Sequence, residues 1–265
     1  MKFKYILYTL FAGLLLASCE GKQAKLLGKI KAIENSEKIG TKDGLAELAK
    51  LHAEYGTSFN DSAANDYLYA AAQYYFYENN AEESKRLLLA YLLRDDSTER
   101  FRNAAINLAK IHADEKEFGK ADDLVSEVLD KVQPTNMQWG DIISIYSAKI
   151  EQKQDAKPND YERIALAYTA TSNFEKALEN LDFAINNFPE YDKRGDLIYR
   201  SGFIAWSYMS NGTKAKEYYE QFLKLYPDDD KAAEVRTILS ENMLEKTDEE
   251  NLELIKNKAA QTAKK

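Results

Sequence analysis

The sequence predicts an all-α chain: an α-solenoid of antiparallel helix pairs over residues 25–245 of 265. Three observations carry this. The whole chain holds only 4 prolines and 11 glycines, while alanine, leucine, lysine and glutamate abound and valine is scarce, a composition that favours helix over strand. Two segments, Tyr161 to Pro189 and Tyr199 to Pro227, align with each other at an offset of 38 residues. Each ends on its proline, where a helix has to stop.

The elements follow in order from the N-terminus. Lys2 and Lys4 precede an almost unbroken apolar run from Tyr5 to Ala17, 13 residues long. A bilayer-spanning helix needs about 20, so the run reads as the core of a signal peptide. The small residues of "LASC", Leu16 to Cys19, follow it and resemble the lipobox of bacterial lipoproteins. The resemblance implies a signal peptide over 1–18, cleavage before Cys19, acylation of its thiol and a tether over 19–24. Two or more acyl chains anchor a protein stably where one does not. Cys19 is the only cysteine, so the processed chain would have no disulfide and no cysteine metal site. Losing Lys2 and Lys4 takes the formal charge from -8 to -10, which argues against nucleic acid or anionic lipid as partner. Glu20 and Gly21 follow the cysteine instead of the aspartate that retains enteric lipoproteins at the inner membrane, so the expected location is the outer membrane.

Leu26 to Ile39 and Leu45 to Tyr55 are expected to form an N-terminal helical pair. Weaker copies of the repeat run from Leu68 to Asp96 and from Ala105 to Pro134. The small residues Ser84, Ala121, Ala177 and Ala215 mark equivalent places, spaced 37, 56 and 38 apart. The spacing of 56 leaves room for one extra helix between Pro134 and Pro158. These copies resemble tetratricopeptide repeats, helix–turn–helix units of about 34 residues with small and aromatic residues at fixed places. The small residues let two helices approach closely, and Ala165, Ala177 and Ala184 serve this in the clearest copy. In the last copy Phe203 and Phe222 fall where small residues belong, and Gly212 where the turn aromatic belongs, which predicts shifted packing. Lys231 to Met243 reads as a capping helix. Residues 246–265 read as a charged tail, either frayed helix or unstructured.

No catalytic or metal-binding pattern appears. His52 and His112 fall inside expected helices, His112 at a packing position and His52 near Glu54; one histidine and one carboxylate make no metal site. There is no phosphate loop, nucleophile elbow or HExxH, and no cofactor is expected. "PDDD", from Pro227 to Asp230, suits the start of the next helix.

Interaction is the remaining role. "YLYAAAQYYFY", Tyr67 to Tyr77, packs more aromatics than one buried face can hold. The repeat family uses its first helices to line a concave groove, and by that resemblance the groove would take Tyr69, Gln73, Phe76 and Tyr77, then Lys110, Glu162, Arg200 and Tyr208. Two readings stay open for the aromatics of 67–77: groove, or core covered by the N-terminal pair. Lipobox and repeats together resemble outer-membrane tetratricopeptide lipoproteins, among them the β-barrel assembly lipoproteins. The resemblance implies a non-enzymatic, lipid-anchored scaffold that binds another envelope protein. The alternatives are a subunit of β-barrel assembly or a glycan-binding lipoprotein, the last requiring Trp139 or Trp206 on an exposed flat surface.

Overall fold

The computed structural model describes residues 21–94, 99–152 and 156–262, and Cys19 with its leader lies outside them. The chain forms two units, Met1–Pro134 and Thr135–Lys265. The first holds α1 (21–34), α2 (Lys42–Ser58), α3 (Ser62–Tyr77), α4 (Ala81–Leu92), α5 (Glu99–Asp114) and α6 (Phe118–Lys131). The second holds α7 (Asn136–Glu151), α8 (Pro158–Ala170), α9 (Phe174–Asn187), α10 (Arg194–Phe203), α11 (Gly212–Leu225), α12 (Ala232–Ser240) and α13 (Asp248–Thr262). Among the described residues there is no strand, and within each unit consecutive helices up to α12 pack as antiparallel neighbours. This is the predicted tetratricopeptide-like architecture.

One turn design recurs in the four hairpins. Asn79, Lys116, Ser172 and Ser210 each take the left-handed conformation, with φ of 55°, 64°, 59° and 50°. Such a residue ends a helix by turning its last carbonyls to new donors. In three hairpins the next residue donates to the carbonyl five places back: Asn80 to Tyr75 at 2.9 Å, Glu117 to His112 at 2.8 Å and Asn173 to Tyr168 at 2.8 Å. In the last, Asn211 donates six places back, to Ala205 at 2.8 Å. The extra residue sits in a π-helical turn, Ile204–Tyr208, that continues α10.

The π-turn corrects the alignment read from the sequence. The offset of 38 holds beyond the turn, but before it the matching residue lies one place earlier. Gly202, not Phe203, therefore takes the place of Ala165. A Cβ on Gly202 would stand 2.6 Å from the ring of Tyr219, which is fully buried. Phe203 instead points outward and is 40% exposed. Gly212 has a comparable reason, since a Cβ there would meet the Leu244 carbonyl at 2.6 Å.

Apolar burial follows the helix pairs. In the first unit Leu26, Ile30 and Ile33 of α1 pack with Leu48 and Tyr55 of α2. Leu68 and Ala72 meet Leu87, Leu88 and Tyr91, then Ala104 and Leu108. Ser84, fully buried, donates its hydroxyl to the Ala72 carbonyl at 3.2 Å, so a polar group sits in the α3–α4 contact at no loss. In the second unit one cluster runs from Tyr161 through Ala177 and Leu181 to Tyr219, Phe222, Val235 and Met243. The expected extra helix is α7, opened by a reciprocal cap between Thr135 and Gln138 at 2.9 and 3.4 Å. It is pinned to α8 by an ion pair between Lys149 and Asp160 at 2.7 Å, both largely buried. Removing one member of such a pair costs about 3–5 kcal/mol, although the intact pair adds little net stability.

Two glycine substitutions are expected to move in opposite directions. Gly202→Ala forces a methyl into the Tyr219 ring and should destabilise by about 1–3 kcal/mol. Gly140→Ala, exposed within α7 with open space around it, should stabilise by up to about 1 kcal/mol. Urea denaturation of the two variants checks both signs.

Candidate functional site

The face shared by α3 and α5 is built as a ladder. Its rungs join residues 34 positions apart. Asp66 pairs with Arg100. The Asn103 amide donates to the Tyr69 hydroxyl at 3.2 Å, and the Asn107 amide to Oε1 of Gln73 at 2.9 Å. The last rung sets the Lys110 ammonium 5.6 Å from the centre of the Phe76 ring, and the Arg100 guanidinium lies 5.5 Å from that of Tyr69, both cation–π distances. At its end the ladder opens into a groove of about 480 Å³ lined by Phe76, Tyr77, Lys110 and Asp114 among others. Tyr77 is 75% exposed there.

The aromatic run divides between the two readings. Tyr67 stacks on His52 at 4.4 Å and meets Tyr55 edge-on at 5.1 Å, so α2 covers it. Tyr75 is half-buried against the core. Tyr69, Gln73 and Phe76 are half-buried on the ladder, and Tyr77 projects from it. Four of the residues named for a groove in this unit, together with Lys110, thus share one face.

The remaining candidates lie in the second unit. Glu162 accepts from Arg200 at 3.0 Å and from the Tyr191 hydroxyl at 3.0 Å. Desolvation, and then this bond to a carboxylate, push the Tyr191 hydroxyl pKa well above its ordinary value. Tyr208 is placed elsewhere: it stacks on Phe174 at 4.9 Å and meets Phe203 edge-on at 5.7 Å. Of the two tryptophans, Trp139 is buried at 4% exposure and Trp206 is half-buried.

Both histidines are held inside the fold. The nearest carboxylate to His52 is Glu34, 4.0 Å from Nε2, rather than Glu54. Desolvation beneath Tyr67 outweighs that half-exposed carboxylate and lowers the imidazole pKa to about 4. His112 is buried, with Nδ1 2.6 Å from Glu117 and 3.9 Å from Glu115. These three bring ligand atoms within 4.8 Å of one another, a grouping that sequence spacing had not singled out. Lys85 already holds Glu115 at 2.5 Å and Lys120 holds Glu117 at 2.8 Å. The group therefore reads as a brace on the α5–α6 turn, and its bonds to Lys120 and His112 lower the Glu117 pKa.

No family model matches the chain, and no curated protein matches it. Among solved structures, that of PilF from Pseudomonas aeruginosa matches at 18% identity and a TM-score of 0.31, over 68% of this chain and 71% of that one. The fold assignment rests on the helix packing described above and not on this likeness.

The depressed His52 pKa fixes the sign of a pH effect. Unfolded, the imidazole takes a proton near pH 6.5; folded, it takes one only near pH 4. The unfolded state binds more protons in between, so stability falls as pH drops through that window. At pH 5 the loss relative to pH 7 should reach about 2 kcal/mol. His52→Phe, which keeps a ring against Tyr67, should lose that much less stability between the two pH values in paired urea denaturations.

Proposed function

We propose that the chain is a non-enzymatic scaffold, tethered by lipid at Cys19 to the outer membrane, that holds another envelope protein against the α3–α5 groove. The observation that carries the reading is the groove itself. An exposed tyrosine stands beside a half-buried phenylalanine and a lysine at the end of a ladder that joins Asn103 to Tyr69 and Asn107 to Gln73. Rigid aromatic rings beside a cation give large contact area at little entropic cost. The rungs fix the ring positions before a partner arrives, which lowers the ordering cost of binding.

The tether rests on the sequence: a basic start, a short apolar run and "LASC". No helix among the described residues is long and apolar enough to cross a membrane. The formal charge of -8 disfavours nucleic acid as the partner. Burial of Trp139 and half-burial of Trp206 weigh against the glycan reading, which needs an exposed indole platform.

Two experiments test the proposal. Cys19→Ser should leave the leader uncleaved and remove the acylated species seen by mass spectrometry of the membrane fraction. Tyr77→Ala should weaken the envelope partner recovered by cross-linked purification by on the order of 2 kcal/mol, about thirtyfold, with unchanged circular dichroism. Recovery of barrel-assembly components would assign the client to that machinery, and another single partner would assign it elsewhere. Equal recovery by both forms would remove the groove from the proposal.

A further inference from the structure

The second unit carries a larger groove, of about 880 Å³, between the end of α10 and the segment leading into α13. One wall is Phe203 and Trp206, on and beside the π-turn; the other is Leu252 and Ile255 of α13. Phe203, Leu252 and Ile255 are 40%, 52% and 53% exposed. Apolar side chains at that exposure on two facing walls are costly to leave in water. Single-turn π insertions frequently mark functional sites, and this one lies beside Phe203 and contains Trp206, both of which line the groove.

Two polar features say what would enter. Asn251, a lining residue only 7% exposed, donates its Nδ2 to the Met243 carbonyl at 2.9 Å. That bond fixes the amide orientation, and it leaves Oδ1 buried with no donor among the described residues. An unmet buried acceptor costs about 1–3 kcal/mol. The groove rim adds Glu245, Asp248 and Glu249, all exposed and none in an ion pair among the described residues. The one lysine of the rim, Lys246, donates its ammonium to the Glu241 carbonyl and leaves the rim net negative. The groove therefore combines apolar walls, an unmet buried acceptor and net negative charge.

We propose that this groove takes up a cationic, apolar segment of another protein. A lysine or arginine of that segment faces the acidic rim beside Asn251, while its apolar residues lie between Phe203 and Trp206 on one side and Leu252 and Ile255 on the other. The site belongs to the second unit and is independent of the α3–α5 groove. Anionic surfaces and acidic peptides are excluded by the same charges that attract a basic one.

Trp206 reports on the site directly. The full chain is titrated with two synthetic helical peptides of roughly twelve residues, about 18 Å long, sharing one leucine pattern but carrying lysine in one and glutamate in the other. The lysine peptide is expected to shift the tryptophan emission to the blue, with no shift in Trp206→Phe, and the glutamate peptide to leave it unchanged. Glu245→Gln/Asp248→Asn/Glu249→Gln should weaken the lysine peptide about tenfold and flatten its salt dependence. Leu252→Ser/Ile255→Ser, which keeps the charges, should weaken it too, whereas Tyr77→Ala should not. Equal response to both peptides, or undiminished binding by either groove variant, overturns the proposal. A loss confined to Tyr77→Ala would do the same and return the binding to the first unit.

Discussion

Everything in this fold depends on how closely two helix backbones can approach. A helix pair that buries a narrow stripe has little apolar area to work with, so the contact must be tight to exclude water. The chain meets this with its smallest residues. A Cβ on Gly56 of α2 would lie 2.6 Å from Leu68 and 2.9 Å from the Ala64 carbonyl. Ala72 and Ser84 share a hydrogen bond in the α3–α4 contact. Ala109 with Ala121, and Ala165 with Ala177, stand at almost fully buried positions of the next pairs. The last hairpin solves the same problem differently: one helix gives up its side chain at Gly202, and the other fills the space with Tyr219. Because the small residues keep each seam narrow, the large aromatics are left to fill the space between pairs or to project from a shared face.

That constraint also explains what the sequence reveals. Small residues repeating with an aromatic and a terminal proline are a direct record of helix pairing, so the pairs and the extra helix α7 are legible. The π-turn is not. A single inserted residue leaves no compositional trace, and an alignment run through it places Phe203 and Trp206 where Gly202 and Ala205 belong. The groove is legible in part. Sequence equivalence spaces Ala72 and Ala109 by 37 residues, yet the side chains that touch across α3 and α5 are 34 apart. Stacked helices meet one turn away from equivalent positions, so a repeat alignment names the face but not the rungs. Tyr208 shows the same limit, since the π-turn carries it to Phe174 and away from Glu162 and Arg200.

Charged and polar groups in this protein act chiefly as spacers between helices. Asp66 with Arg100, Glu162 with Arg200, Asp196 with Lys231 and Glu234 with Tyr199 each join a helix to the next first helix along its unit. Exposed pairs of this kind add little stability individually. Their value lies in register, because a slip by one turn would unpair each rung at once. His52 and His112 are absorbed in the same way, one as a ring stacked under Tyr67 and one as a turn brace against Glu117.

The places where this pairing stops are therefore the informative ones. Along the ladders an acidic group meets a cation or a hydroxyl from the neighbouring helix. At the segment entering α13 it does not: Glu245, Asp248 and Glu249 are in no ion pair among the described residues, and Leu252 and Ile255 are exposed within what the sequence reads as a charged tail. The acidic residues of the first helical turn have a local use, since they favour the helix N-terminus and Glu250 closes a reciprocal cap with Thr247. Helix capping accounts for neither the two exposed aliphatic residues nor the buried Asn251 oxygen. A surface shaped only to end the array would bury the first and satisfy the second. The second unit does neither, while across the α3–α5 face of the first each rung joins two side chains, although Nε2 of Gln73 is buried there without an acceptor among the described residues. The two grooves thus differ in kind: one is set around aromatic rings and a cation, and the other is apolar-walled with an acidic rim.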